Sequence, residues 1–309
     1  MNNIPKIAMG AWAWGNDGTF GDNYTLESLK AVYETAVEKG LNLWDTAVVY
    51  GMGTSEKILG ELSKETVRDN LIFSTKFTPQ IEDKTPDAMQ NMLNGSKERL
   101  HTDTIDIYWI HNPMDVEKYT PMIIPLAQSG QIRQIGVSNH NLAEILRANE
   151  ILGKAGLKIS AVQNHYSILN RSSEESGILD YCKKNDIVFY SYMVLEQGAL
   201  SGNYNTKNPF PENSDRGRAY NPIMPDIEKL TQVMKSIGIK HNINTAQVAI
   251  AWSIAKGTVP IVGVTKVHHV EDAAQASNVI LTEEEIRELE TTADSLELST
   301  IRYWEKKME

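Results

Sequence analysis

Along the chain, short apolar runs alternate with longer stretches in which apolar residues recur every three or four positions. The runs are IPKIAMGAW, LNLWDTA, NLIFSTK, IDIYWIH, IRQIGVSN, ISAVQNHY, DIVFYSY and VPIVGV. Their shortness and their Ile, Val, Phe and Trp content read as strands, and the amphipathic stretches between them read as helices. Helices are expected over residues 26–39, 55–64, 86–100, 141–150 and 174–184, among others. Thr25 marks a helix start and Gly40 its stop, while Asn141 and Thr245 are placed to cap in the same way. Strands joined by helical crossovers predict parallel β/α units. Eight of them predict a (β/α)8 TIM barrel, one domain over residues 1–309, with a long loop at 202–225 after strand 7 and extra C-terminal helical structure after Leu281. A doubly wound sheet is the rival. It would carry G-x-G-x-x-G after its first strand; GMGTSE fails that pattern and follows the second.

In a β/α barrel, catalytic groups gather where strands end. Here the strand ends are polar: Asp45, Lys76, His111, Ser138 with Asn139, Gln163 with Asn164, and Tyr192. Taken singly, each is an ordinary solvated or hydrogen-bonded residue. Six consecutive strands ending this way are harder to dismiss, because parallel strands are otherwise apolar. A metal hydrolase needs several ligands at the rim, yet only His111 and His165 lie near strand ends there, and H-E-x-x-H is absent. No metal is expected. G-x-S-x-G and the P-loop are also missing. Asp, Tyr, Lys and His together suit a different task, delivering a proton to an oxygen as hydride reaches its carbon. A phenol titrates near pH 10, and a neighbouring ammonium is expected to draw it down by roughly 1–3 units.

Composition narrows the setting. The net charge of -10 and pI of about 5.3 speak against a nucleic-acid surface or an anionic membrane. The single cysteine, Cys182, allows no internal disulfide and fits a reducing, cytoplasmic setting. The N-terminal MNNIPKIAMG does not read as a signal peptide, and no apolar run reaches the length of a membrane span.

At these residues the sequence resembles the aldo-keto reductase superfamily. The carriers are DTAVVYGMGTSEKILG, the Lys of FSTKF, the His of YWIHNP, GVSN, and the Gln of VQNHY, in family order over nearly the whole chain. The resemblance implies NADP(H) bound across the C-terminal rim and a small carbonyl substrate. It implies Tyr50 as general acid, Lys76 lowering its pKa, Asp45 paired to Lys76, and His111 positioning the carbonyl. Ser138, Asn139 and Gln163 would hold the nicotinamide carboxamide, and Tyr192 would stack on its ring. Leu195, Gly198, Leu200, Gly202 and Arg216 would follow the pyrophosphate. Gly263, Thr265 and Lys266 would receive the adenosine 2′-phosphate, with Asp272 near the adenine. Trp12, beside the cofactor, and Trp14 would line the mouth, with Asn112 shaping the substrate pocket. Departures from the family pattern are Met193–Val194 in place of Ser-Pro, Asn203 in place of Lys, Asn112 in place of Trp, and Ala273 in place of Asn. Two other functions fit the same resemblance: a regulatory cofactor-binding module like potassium-channel β subunits, and a dehydrogenase running in the oxidative direction. Oligomeric state is left open.

Overall fold

The computed structural model describes residues 5–21 and 23–309. Ile4, where the first apolar run begins, and the three residues before it lie outside that range. The eight strands are β1 (Ala8–Gly10), β2 (Leu43–Asp45), β3 (Ile72–Phe77), β4 (Ile105–Ile110), β5 (Ile132–Ser138), β6 (Ala161–His165), β7 (Val188–Tyr192) and β8 (Val259–Gly263). Every neighbouring pair is parallel, and β8 returns to β1, so the sheet closes into the expected barrel.

Alternate strand residues fill the two sides of this wall. Ala8, Leu43, Ile107, Trp109, Ala161, Tyr190 and Val259 pack together as one cluster inside the barrel. Trp109 fits there because β5 carries Gly136 opposite it. A Cβ on Gly136 would lie 2.2 Å from the indole ring. The outward strand residues pack against the surrounding helices in the larger core.

The helices are α1 (Leu26–Glu38), α2 (Thr54–Ser63), α3 (Ala88–Arg99), α4 (Val116–Gln128), α5 (Leu142–Gly153), α6 (Ser172–Glu175), α7 (Ile178–Lys184), α8 (Asp215–Tyr220), α9 (Met224–His241), α10 (Thr245–Ala255), α11 (Val267–Ala276) and α12 (Glu283–Ser295). Thr25 and Asn141 cap α1 and α5 with reciprocal side-chain bonds, as expected. Thr245 does not cap α10. Asn244 does, because its amide oxygen stands three residues before Gln247 and completes a capping box with it. The segment 202–225 is not one irregular loop either. Ser214 caps α8 inside it, and α9 already begins at Met224 with Pro225 in its first turn, where a missing N–H costs nothing. No helix among the described residues is long and apolar enough to cross a membrane.

Candidate active site

The C-terminal ends of β2 and β3 bring Asp45 and Lys76 together in the barrel's upper layer. The Lys76 side chain is fully buried. Its ammonium donates to Asp45 Oδ2 at 2.7 Å, to the Thr46 carbonyl at 2.8 Å and to Tyr50 Oη at 3.3 Å. Three protons meet three acceptors, so the charge is held in one place. Asp45 Oδ1 accepts from Ser74 Oγ at 2.8 Å and Gln163 Nε2 at 3.1 Å. Burial works against the Lys76 charge, but Asp45 and Tyr50 outweigh it and the pKa is raised.

An ammonium only donates, so the Tyr50 oxygen is the acceptor of the Lys76 bond and its own proton is left pointing elsewhere. The expected direction of its pKa is reversed. Burial raises it more than the Lys76 charge lowers it, and the Asp45 charge adds to the rise. The phenol is therefore a fully protonated acid at neutral pH, with Lys76 limiting the rise.

Tyr50 is set by a close approach of two loops. A Cβ on Gly51, at φ +62°, would lie 1.8 Å from the Gly15 carbonyl oxygen. That approach lays Trp12 on Tyr50, with ring centroids 5.7 Å apart and an interplanar angle of 19°. Trp12 thus lines the mouth. Trp14 does not: it is fully buried against Trp44 and donates its indole N–H to the Val264 carbonyl at 2.7 Å. Residues 12–15 form a 3₁₀ turn rather than an extended strand, and in a 3₁₀ turn positions i and i+2 face different ways.

His111 presents its ring to Tyr50 edge-on at 6.2 Å. Burial, and then the Lys76 charge, hold its pKa well below the usual imidazole value, so the ring is neutral. Thr78 Oγ1 lies 3.0 Å from its Nδ1. Asn112 binds Gln80 Oε1 at 3.2 Å beside it. Asn139, in the left-handed region at φ +61°, donates to the His111 carbonyl at 3.0 Å and accepts from Tyr192 Oη at 2.6 Å. Ser138, buried next to Asn139, ends β5. Asp45, Tyr50, Lys76, His111, Asn139, Gln163 and Tyr192 thus form one connected group.

The remaining candidates extend away from this centre. Gly198 (φ +103°) and Gly202 (φ +78°) shape the turn after β7, and Leu195 and Leu200 pack within it. Arg216 lies over the rings of Phe20, Phe210 and Tyr204, and its Nη1 reaches the Gln197 carbonyl at 3.3 Å. Gly263 ends β8, and the Thr265 N–H meets His269 Nδ1 at 3.2 Å. Lys266 is exposed at the start of α11, whose first turn has no side-chain cap. Ala273 is buried, but Asp272 still has an amide partner, because Asn244 reaches it from α10's cap at 2.8 Å.

Sequence reasoning missed Gln197, Glu196, Glu305 and Trp304. Gln197 Nε2 and Arg216 Nε are buried donors without a partner, which suits the anionic oxygens of a dinucleotide phosphate. His165, weighed above as a metal ligand, has both ring nitrogens taken by carboxylates. Nε2 meets Glu196 at 2.8 Å and Nδ1 meets Glu305 at 2.9 Å. Burial opposes its charge, but the two carboxylates overcome that and lift its pKa to about 10.

The family model of the aldo/keto reductase family matches residues 6–294. The chain belongs to this family. Among its relatives, the chloroplastic pyridoxal reductase of Arabidopsis thaliana is 30% identical over 97% of this chain and 86% of its own. A Schizosaccharomyces pombe aldo-keto reductase, yakc, whose name specifies NADP(+), is 30% identical over 97% and 92%. The thermostable aldo-keto reductase Tm1743, solved with the inhibitor epalrestat, superposes with TM-score 0.77 at 27% identity, covering 94% of this chain and 95% of its own. The glycerol dehydrogenase AKR11B4 of Gluconobacter oxydans, at 23% identity, shares the fold with TM-score 0.84 over 98% and 96%. The aldo/keto reductase family makes this chain an oxidoreductase.

Proposed function

We propose that this protein reduces aldehydes or ketones to alcohols with NADPH, using Tyr50 as the general acid. The observation that carries the reading is the Lys76–Tyr50 contact. It fixes the phenol oxygen as acceptor on the lysine side and leaves its proton available to the mouth. The yakc relative's NADP(+) and the orphaned donors of Gln197 and Arg216 support the choice of cofactor. Bound NADPH would supply the hydride. The chain's side chains do the rest. His111 is neutral, and in the tautomer whose Nδ1 accepts from the Thr78 hydroxyl 3.0 Å away it offers Nε2–H to the substrate oxygen. Tyr50 gives its proton to that oxygen as negative charge develops, and Lys76 stabilises the resulting tyrosinate. Asp45 keeps Lys76 charged and aimed. Trp12 gives the mouth an apolar wall. The whole chain acts as one barrel domain, and the single buried cysteine suits a reducing, cytoplasmic setting.

A panel of aldehydes and ketones with NADPH and NADH, and of alcohols with NADP+, tests this. Turnover of no carbonyl above the uncatalysed rate would favour a cofactor-binding module instead.

NADPH is expected to bind more tightly than NADH, with Lys266 as the main cause. Its ammonium stands free of ion pairs among the described residues, at an uncapped helix start. Lys266→Ala should weaken NADPH by about ten- to thirtyfold and leave NADH nearly unchanged. Titration of parent and variant with both cofactors checks this; equal losses would remove Lys266 from the 2′-phosphate site.

A further inference from the structure

After α12 the chain turns back across the catalytic rim. Met308 is buried, and Trp304 meets Trp12 edge-on at 6.2 Å. Arg302 Nη2 donates to the Asp215 carbonyl at 3.1 Å. The tail thereby delivers Glu305, whose side chain is 2% exposed. Its Oε2 accepts from His165 Nδ1 and from the Arg302 N–H, both at 2.9 Å. Its Oε1 is buried and has no partner. His165 is itself held from the far side by Glu196, whose Oε1 also takes Thr300 Oγ1 at 2.9 Å. The carboxylate is therefore fixed, with one oxygen open.

Beside this carboxylate is Tyr192, whose ring lies 5.6 Å from that of His165. After burial, the Glu305 charge and a hydrogen-bonding approach to that carboxylate raise the phenol's pKa, while the 2.6 Å bond is made to Asn139. Its proton goes to Asn139 Oδ1. Asn139 Nδ2 is already committed to the His111 carbonyl. Oδ1 is thus the Asn139 atom left to meet a carboxamide N–H, and the phenol competes for it. A buried carboxylate oxygen without a donor is costly, so an exchange that satisfies it is favoured.

We propose that Glu305 is a positioning residue of the nicotinamide site: its free oxygen takes the Tyr192 hydroxyl when the cofactor amide claims Asn139. The inference rests on the cofactor site proposed above. One hydrogen bond breaks and one forms, and no proton changes owner. Tyr192 is then held by the C-terminal tail, and the tail becomes part of cofactor binding.

The test is direct NADPH binding to the full chain, followed by fluorescence, in the parent, Glu305→Gln, Tyr192→Phe and the double variant. In Glu305→Gln the amide oxygen turns to His165 and Arg302, which are donors. Its NH2 then faces the phenol, donor against donor. NADPH affinity should fall about tenfold. Tyr192→Phe has no hydroxyl to rehouse, so, whatever its own affinity, it serves as the reference for its background, and adding Glu305→Gln to it should cost less than about threefold. A tail that serves packing alone would not be rescued by Tyr192→Phe. Equal losses from Glu305→Gln in both backgrounds, or no loss in the parent background, overturn the inference. Should Glu305→Gln fail to fold, Glu305→Ala takes its place in both backgrounds: a loss of about tenfold against the parent and less than about threefold against Tyr192→Phe supports the inference, and equal losses overturn it. A parent that binds no NADPH overturns the cofactor reading itself, and this inference with it.

Discussion

Tyr50→Phe is expected to lower carbonyl turnover by about 10²–10⁴-fold and to change NADPH affinity by less than about twofold. The substitution removes one oxygen and little else. The ring keeps its place on Trp12, at 5.7 Å, and the close approach of Gly51 to Gly15 does not involve the hydroxyl. Lys76 loses the longest of its three contacts and keeps Asp45 and the Thr46 carbonyl. The Tyr50 hydroxyl makes no hydrogen bond to Asn139, Gln163 or Tyr192, so the proposed cofactor cradle is untouched. What disappears is the proton. Steady-state turnover of a reactive aldehyde, paired with a binding titration, separates the two effects. Turnover within a few-fold of the parent would show that water or another group is the acid.

The barrel and the polar groups at its strand ends were legible because both are written in local pattern. Parallel strands are buried on both faces, so a polar residue at the end of β2, β3 or β6 stands out against an apolar run. What escaped depends on contacts that have no period. Two prolines, Pro121 and Pro125, sit within α4 and blur its apolar spacing. Trp12 and Trp14 look equivalent in GAWAWG, and only the 3₁₀ turn sends one to the mouth and the other into the core. Glu305 pairs with His165 across 140 positions of sequence, and nothing near RYWEKK announces it. The direction of the Tyr50 pKa was missed for a related reason. The sequence shows that a lysine is near but not how deeply the phenol is buried, and burial is the larger influence. The clue to Gln197 exists only as an unpaired donor in the folded molecule.

Lys76→Met should cost both stability and activity, and the two can be separated. Methionine nearly fills the lysine's volume, so packing around the fully buried stem survives. Asp45 does not fare as well. Oδ1 keeps Ser74 and Gln163, but Oδ2 loses its cation in a site that is only 4% exposed. Removing one partner of a buried pair typically costs about 3–5 kcal/mol. Asp45→Asn on top of Lys76→Met removes the stranded charge and should recover much of that stability. It should not recover turnover, because the cation that stabilises tyrosinate is still missing. The pH profile supplies the sign. Reduction needs the phenol protonated, so its rate falls as pH rises through the Tyr50 pKa. Lys76 holds that pKa down, and Asp45 pushes it up. Lys76→Met should therefore move the basic limb to higher pH, and the double variant should move it less, since the opposing carboxylate charge is gone as well. Asp45→Asn alone should impair turnover more weakly than Lys76→Met, because it acts through the lysine. Denaturant unfolding, turnover and a pH profile on the four proteins check all of this. A folded Lys76→Met enzyme with parental rate and an unmoved basic limb would show that Lys76 holds the barrel together without tuning the acid.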